Sequence, residues 1–374
     1  MQSKEIKASS IRLEKPMRIT EQVWPEGTMP LVSIWCITYN HENFIRDAIE
    51  GFLMQETTFP VEIFIHDDAS TDSTAEIIKE YADQYPKLFW TVLQNENQWS
   101  KGNRRILFDY HAKQRGEFIA LCEGDDYWTA KDKLQNQVEI LLKDPSISLV
   151  FHNAYCKHVN SQDDFLHHSR LNKNRYTLND IIEHGWLMTT ASMVHRKINT
   201  FPLALYNYVT AGDKLIQICA CLSGDAFYYD SVCSVYRFHE HGVTAQWKNP
   251  KIDHEKVVPN MFWMYWILRC KFLPESAYIS TDRVMRSYIW RIAKYVIKNE
   301  KMPLVFFAGH LKNSVNKIIN NCMPIFLIDG NSDYNKVNFF ILKSCASYVR
   351  QIPKQLLLEM ICPIVKWMCK RIQN

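Results

Sequence analysis

The 374-residue chain has no Cys-x-x-Cys pair among its 11 cysteines, no run of the roughly 18 uncharged apolar residues that a membrane-spanning helix needs, and no Gly-x4-Gly-Lys-Ser/Thr phosphate loop. The first absence removes the usual zinc and redox motifs. Because several cysteines sit inside apolar strand or helix patterns, they read as reduced core thiols of a cytosolic protein. Residues 1–28 are polar, with Lys, Glu and Arg throughout, and lack the apolar stretch of a secretory signal, so export is not expected. A nucleic-acid motif is also missing, and the basic residues are scattered among aromatics, which argues against nucleic acid as a partner.

At 47% hydrophobic and 22% charged, the chain is able to bury a full core, enough for one large or two medium domains. The net charge of +4 hides an asymmetry: from Glu255 onward there are 18 Lys/Arg against 7 Asp/Glu, +11, which leaves −7 for residues 1–254. Such a basic end suits an anionic membrane surface, an anionic acceptor, or contact between two domains.

Short apolar, β-branched runs alternate with segments of helical spacing. Leu31–Thr38, Val61–His66, Leu88–Leu93, Glu117–Cys122 and Ile147–His152 read as strands, and Glu42–Gln55, Asn103–Lys113 and Asp132–Lys143 as helices, the last with Leu134, Val138, Leu141 and Leu142 inward. Ser73 with Glu76 predicts a capping box at the start of a further helix. This alternation predicts an α/β fold, a mostly parallel sheet covered by helices, with ligands beyond the carboxyl ends of the strands. Residues 157–180 read as a loop over the site. A strand at Ala191–Val194, a helix from Asp213 ended by Gly224, and strands at Ala226–Asp230 and Val232–His239 close the first domain. From about residue 251 the pattern turns to aromatic helices, including Met261–Leu268 and Arg283–Lys298. The expected division is a polar extension over 1–28, an α/β domain over 29–250, and a basic helical region over 251–374.

The most informative run is Glu123-Gly124-Asp125-Asp126-Tyr127-Trp128, entered from the strand at 118–122. Adjacent carboxylates at a strand tip repel one another and are not buried unpaired, so the run points to a divalent cation or a phosphate-bearing ligand; an exposed acidic turn is the plainer alternative. Asp67-Asp68-Ala69-Ser70-Thr71-Asp72 is rich enough in acceptors to hold a base or ribose, although turn and cap chemistry uses the same residues. Gly212-Asp213 offers a carboxylate suited to deprotonate a sugar hydroxyl, or simply an N-cap; the helix dipole there is expected to lower its pKa. Arg237 is a candidate anion clamp, His239 and His241 candidate cation or phosphate contacts, and Trp128, Trp99 and Trp186 candidate sugar-stacking rings.

Seven motifs in order, Thr38-Tyr39-Asn40-His41-Glu42, HDDASTDST at 66–74, ENQWSKGNRR at 96–105, EGDDYW at 123–128, TTASMVHRK at 189–197, Ala211-Gly212-Asp213 and YRFHEHGVT at 236–244, resemble the family 2 glycosyltransferases of the GT-A fold, over about residues 29–247. The resemblance implies a Rossmann-like mixed sheet and transfer of sugar from a nucleotide-diphosphate donor, UDP by default with dTDP as rival, to a glycan or lipid-linked glycan. It implies that Tyr39 stacks on the base beside Thr38 and Glu42, that Asp67 reads the base imide, and that Asn97 and Arg104 touch the nucleotide, with Lys101 a rival phosphate partner. Asp125 is implied as the ribose contact, Asp126 as the ligand of Mn2+ or Mg2+, His239 as a metal or diphosphate contact, and Asp213 as the base of an inverting displacement. A non-catalytic nucleotide-sugar-binding scaffold is the alternative, and a metal-dependent phosphohydrolase or nucleotidyltransferase a third. Lys343, Arg350, Lys354, Lys366, Lys370 and Arg371 among Phe339, Phe340, Leu356 and Trp367 suggest peripheral contact with the inner face of an anionic membrane, or else a packed appendage or homo-oligomer surface.

Overall fold

A computed structural model describes residues 11–103, 105–199, 205, 211–240, 242, 245, 253 and 257–300. The chain divides into two compact units, residues 1–207 with 212–245, and residues 208–211 with 246–374. In chain order the first unit contains β1 (Met17–Arg18), β2 (Val32–Thr38), α1 (Ile45–Leu53), β3 (Glu56–Thr57), β4 (Val61–Asp67), α2 (Thr74–Gln84), β5 (Phe89–Leu93), α3 (Arg105–Lys113), β6 (Phe118–Leu121) and β7 (Tyr127–Trp128). It continues through α4 (Lys133–Lys143), β8 (Ile147–His158), β9 (Phe165–Leu166), β10 (Arg175–Tyr176), α5 (Leu178–Glu183), β11 (Val194–Arg196), α6 (Gly212–Ala220) and β12 (Asp225–Phe238).

The main sheet has the order β10-β12-β8-β11-β6-β2-β4-β5, with β7 on β12 and β9 on β8. β6, β2, β4 and β5 are parallel, as their β-branched, non-alternating sequences require of strands buried on both faces. β11 runs antiparallel to both β6 and β8, which makes the sheet mixed. Ile34, Phe52, Ile63, Phe64, Phe118 and Val150 are among the fully buried side chains of this unit.

Several local expectations need correction. Residues 157–180 are not a bare loop but contain β9, β10 and the start of α5, elements too short to show a periodicity. The two stretches expected at 226–239 form one strand, β12, whose register with β8 shifts around Asp230-Ser231, the polar pair that splits the sequence pattern. Ala191 lies in a 3-10 turn, Thr190–Ser192, ahead of β11. No capping box forms at Ser73: Asp72 Oδ1 instead accepts the Thr74 N–H at 3.0 Å. Leu142 is exposed rather than inward.

The segment before β2 is folded against this unit. β1 pairs with β3, Leu13 N–H donates to Thr58 O at 2.8 Å, and Ile19 is buried. The second unit contains α7 (Val258–Lys271) and α8 (Tyr278–Glu300), which bury Phe262, Leu268, Met285, Ile289 and Ile292 and are linked by Arg269 Nε to Asp282 Oδ1 at 2.5 Å. No helix among the described residues is long and apolar enough to cross a membrane. The basic residues from Lys343 onward lie outside the described residues.

Buried imidazoles make the fold acid-sensitive. Burial lowers the pKa values of His66 and His195 to about 4, and those of His111 and His152 well below the ordinary value. These groups stay neutral in the fold while the unfolded chain binds their protons below about pH 6.5, so stability falls as pH drops from there towards 4, by up to about 3 kcal/mol for each of His66 and His195. Urea unfolding at pH 7.5, 6.0 and 5.0 should show this loss, and His195→Gln should flatten the dependence.

Candidate active site

The site lies where parallel strands end together. Thr38 of β2 pairs with Asp67 of β4, and Trp35 with Leu121 of β6, so the loops after these strands share one edge. The first two loops are laced by side chains. Asn40, at φ +55°, takes the Thr71 N–H on Oδ1 at 2.8 Å, Asn40 N–H reaches Ser70 Oγ at 2.8 Å, and His41 N–H reaches Thr74 Oγ1 at 2.8 Å. Glu42 N–H donates to Asp72 Oδ2 at 3.1 Å, and Glu42 Oε2 accepts from Ser73 N–H at 3.0 Å. Asp67 is buried, with both carboxylate oxygens on Ser70, and burial raises its pKa. Asp68 accepts the N–H groups of Gln98 and Trp99 at 2.8 and 3.0 Å, which anchors the 94–103 loop. Tyr39 stands out at 42% exposed, its ring open to a ligand.

The acidic loop after β6 is pinned from two sides. Gly124 N–H donates to Ile37 O at 2.9 Å, and a Cβ at this position would fall 2.5 Å from Thr38 Oγ1, so the close approach requires glycine. From the far end of the chain, β12 pairs with β7, and Arg237 N–H donates to Asp126 Oδ1 at 2.8 Å. The Arg237 side chain reaches Asp125 O at 2.9 Å, pairs with Asp47, and lies over the Tyr127 ring at 4.2 Å. It is thus a buried strut of the loop and not the anion clamp its sequence context suggests. His239, just past β12, meets Asp125 Oδ2 through Nε2 at 3.0 Å.

Three carboxylates in so small a space cannot all stay ionised without countercharge. Burial, with the charges of Asp125 and Asp213, pushes Glu123 up to about 8. Asp126 is raised well above the ordinary range by burial and by its acidic neighbours. Asp125 goes the other way: burial opposes its charge, but the His239 hydrogen bond and the charges of His41 and His239 prevail and lower its pKa. Asp213, at the start of α6, is near enough for its charge to add to the raising of Glu123. Burial raises Asp213, outweighing Lys214 and the helix N–H groups, which corrects the expectation of a dipole-lowered pKa. Lys214 itself is buried, its ammonium donating to Ile181 O and His184 O at 2.5 Å each.

The structure therefore assembles Thr38, Tyr39, Glu42, Asp67, Asp125, Asp126 and His239 along one edge of the sheet, with Asp213 near enough for its charge to act on Glu123. Asn97 lies in the adjoining loop, where Oδ1 closes a turn by accepting Ser100 N–H at 2.6 Å, and Lys101 pairs with Glu96. Arg104 and His241 lie outside the described residues. Trp128 is no stacking platform: it is 2% exposed, donates Nε1–H to Ala191 O at 2.9 Å and packs on Phe52 and Lys133. Trp99 and Trp186 are the exposed ones, and Trp186 stands edge-on to His167, Tyr236 and Phe238. His41, singled out by no spacing rule, is the residue missed; its Nε2 lies 3.7 Å from Asp125 Oδ2.

The donor set fits a divalent cation. Asp125 Oδ1 and Asp126 Oδ2 are buried without hydrogen-bond partners, and two groups, His41-Asp125-His239 and Glu123-Asp125-Asp126, each bring their ligand atoms within 4.8 Å of one another.

Residues 33–200 match the family described as glycosyl transferase family 2. These residues form a family 2 glycosyltransferase domain. An uncharacterized protein of Mycobacterium tuberculosis is 34% identical over 232 residues, 62% of this chain and 63% of its own length, so the match spans under two thirds of that relative. The putative teichuronic acid biosynthesis glycosyltransferase TuaG of Bacillus subtilis is 24% identical over 225 residues, 59% of this chain and 85% of TuaG. The crystal structure of S. aureus TarS aligns with a TM-score of 0.50 at 17% identity, over 85% of this chain and 54% of TarS. The mixed α/β architecture of the family 2 domain is that of the GT-A fold.

The packing of Gly124 gives a direct test of the domain's site. Gly124→Ala must displace Thr38, and should cost about 1–3 kcal/mol in urea unfolding, with nuclear resonance signals of the 38–42 loop perturbed.

Proposed function

We propose that this chain is an inverting, metal-dependent glycosyltransferase. It moves a sugar from a nucleotide-diphosphate donor, UDP by preference, to a glycan or lipid-linked glycan in cell-surface polysaccharide synthesis, acting at the cytoplasmic face of the membrane. The observation that carries the reading is that unpartnered Asp125 and Asp126 oxygens meet in one loop, with His239 on Asp125 and with Glu123 raised in part by the charge of Asp213. A relative from Escherichia coli named for transfer from UDP-Glc to a GlcNAc-diphosphoundecaprenol, 33% identical over 113 residues, supports both donor and lipid-linked acceptor; one from Shigella flexneri named as a dTDP-rhamnosyl transferase, 30% identical over 122 residues, keeps dTDP as the rival.

In this reading the exposed Tyr39 ring stacks on the base, with Thr38 and Glu42 shaping the loop under it and Asp67 meeting the base edge from behind Ser70. Asn97 and Arg104 border the nucleotide. Asp125, Asp126 and His239 hold Mn2+ or Mg2+, which when bound supplies charge to neutralise the departing diphosphate. Asp125 is also within the loop that meets the ribose. Asp213 accepts the proton of the acceptor hydroxyl as that oxygen attacks the anomeric carbon from the face opposite the diphosphate, which inverts the centre. Its raised pKa makes it a stronger base than an ordinary aspartate. Trp186, Tyr236 and Phe238 form an aromatic shelf beside the segment that Lys214 ties to α6, and sugar C–H faces pack well on such rings.

The full chain, incubated with a panel of nucleotide sugars and Mn2+, should release nucleotide and sugar detectable by mass spectrometry. Asp213→Asn should lower transfer about 10²–10⁴-fold, the range for a lost general base. Asp126→Ala should lower both transfer and donor hydrolysis, with little change in folding. Wild-type activity in both variants, or no nucleotide release from any donor, overturns the proposal. Trp186→Ala should raise the acceptor KM and leave donor hydrolysis unchanged.

A further inference from the structure

We propose that His41 is a ligand of the site's cation, and that with Asp125 and His239 it makes a two-imidazole seat selecting Mn2+ or Co2+ over Mg2+. This rests on the metal-dependent reading above and concerns a residue which that reading does not use. The geometry begins in the backbone. β2 ends at Thr38, and Asn40 then adopts φ +55°, a left-handed conformation that asparagine tolerates and that reverses the chain at once. The reversal is locked by His41 N–H on Thr74 Oγ1 at 2.8 Å, so the His41 ring folds back over the acidic loop.

That ring has a fixed orientation. Nδ1 lies 3.1 Å from Thr38 Oγ1, which leaves Nε2 directed to Asp125 Oδ2 at 3.7 Å. Gly124 keeps the space open, since a Cβ there would sit 3.0 Å from His41 Nδ1. The His239 ring stands nearly perpendicular to that of His41, at 84° and 6.0 Å between centroids, and Phe44 packs on both. His239 Nε2 is 3.0 Å from the same Asp125 oxygen, and the His239 side chain is 5% exposed.

The separations suit a shared ion. Ligands about 2.1 Å from a metal stand about 3.0 Å apart at right angles and about 3.4 Å apart in a tetrahedron; the His239 contact, 3.0 Å, matches the first, and the His41 contact, 3.7 Å, is slightly longer than the second. A hydrogen-bonded His-Asp pair accounts for one imidazole; a second aimed at the same oxygen needs another reason. Imidazole nitrogen is a poor match for Mg2+, which keeps oxygen ligands and water, and a good one for first-row transition ions.

The test is metal binding by the full chain without donor. Titration calorimetry should give a Mn2+ or Co2+ affinity at least about tenfold above that for Mg2+, and pulsed electron paramagnetic resonance of bound Mn2+ should show two imidazole nitrogens. His41→Ala should lose one nitrogen signal and weaken Mn2+ and Co2+ about 10–100-fold while moving Mg2+ less than about threefold. His41→Asp, which keeps a ligand but replaces nitrogen by oxygen, should shift the preference towards Mg2+. A folded His41→Ala that binds Mn2+ within about threefold of wild type, with both nitrogen signals intact, overturns the role of His41 and leaves the glycosyltransferase reading in place. Failure of the wild-type chain to bind any of the three ions overturns both.

Discussion

The site depends on one electrostatic constraint: Glu123, Asp125 and Asp126 occupy a single loop, yet the fold provides countercharge for only part of it. His239 and His41 stabilise the charge of Asp125, and the Arg237 N–H satisfies one oxygen of Asp126. The remainder is met by shifting Glu123 to about 8 and Asp126 well above its ordinary value. A cation held as proposed would compete with those protons, so its binding would be coupled to pH. Because Arg237 lies 111 residues from Asp126 in sequence, the loop has this geometry only when β12 is paired with β7 and β8. Sheet closure and site formation are thus one event.

Much of this is legible in the sequence, for a physical reason. Strands buried on both faces and helices with one buried face leave strong periodicities, and β2, β4, β6, α1 and α4 fall within a few residues of expectation. Adjacent aspartates after such a strand are costly to bury unless a cation or a hydrogen-bonding ligand offsets their charge, so they mark the loop as a site. What is not legible depends on alternation in very short elements. β7 is two residues long, so Tyr127 goes under Arg237 while its neighbour Trp128 goes to the core, and nothing in the run Asp-Asp-Tyr-Trp tells which is which. His41 escapes a reading of the sequence because its direction is set by a positive φ at Asn40, a feature of the fold and not of composition.

The loops after β2 and β4 show how scaffold and contact roles overlap. Glu42, Asp72 and Asn40 hydrogen-bond across the two loops, while Asp67 bonds within its own, to Ser70. Their polar character, which from sequence alone suggests ligand contact, is first required to hold two hairpin-like turns side by side. Asp67 holds Ser70 with both oxygens, and each oxygen keeps a further lone pair available to a base edge. Tyr39 carries no such duty, and its exposure is the clearest sign of a surface kept for something outside the chain.

The two carboxylates of the proposed reaction centre, Asp125 and Asp213, are pushed in opposite directions. Asp125 is held ionised by imidazoles, while Asp213 is raised by burial at the start of α6. Next to it, the Lys214 ammonium, itself lowered to about 8 by desolvation, stays inside the protein because Ile181 O and His184 O accept its hydrogens. That buried contact fixes α6 to the segment carrying Trp186, and Trp186 packs on Tyr236 and Phe238, which flank Arg237 on β12, so the proposed base, the proposed acceptor shelf and the acidic loop are tied by one connected set of contacts. A pair of acids with separated pKa values divides the labour that a displacement needs. In the proposed reaction Asp125 keeps its charge where diphosphate and cation would meet, and Asp213 is the group able to take up the proton that the acceptor hydroxyl would lose.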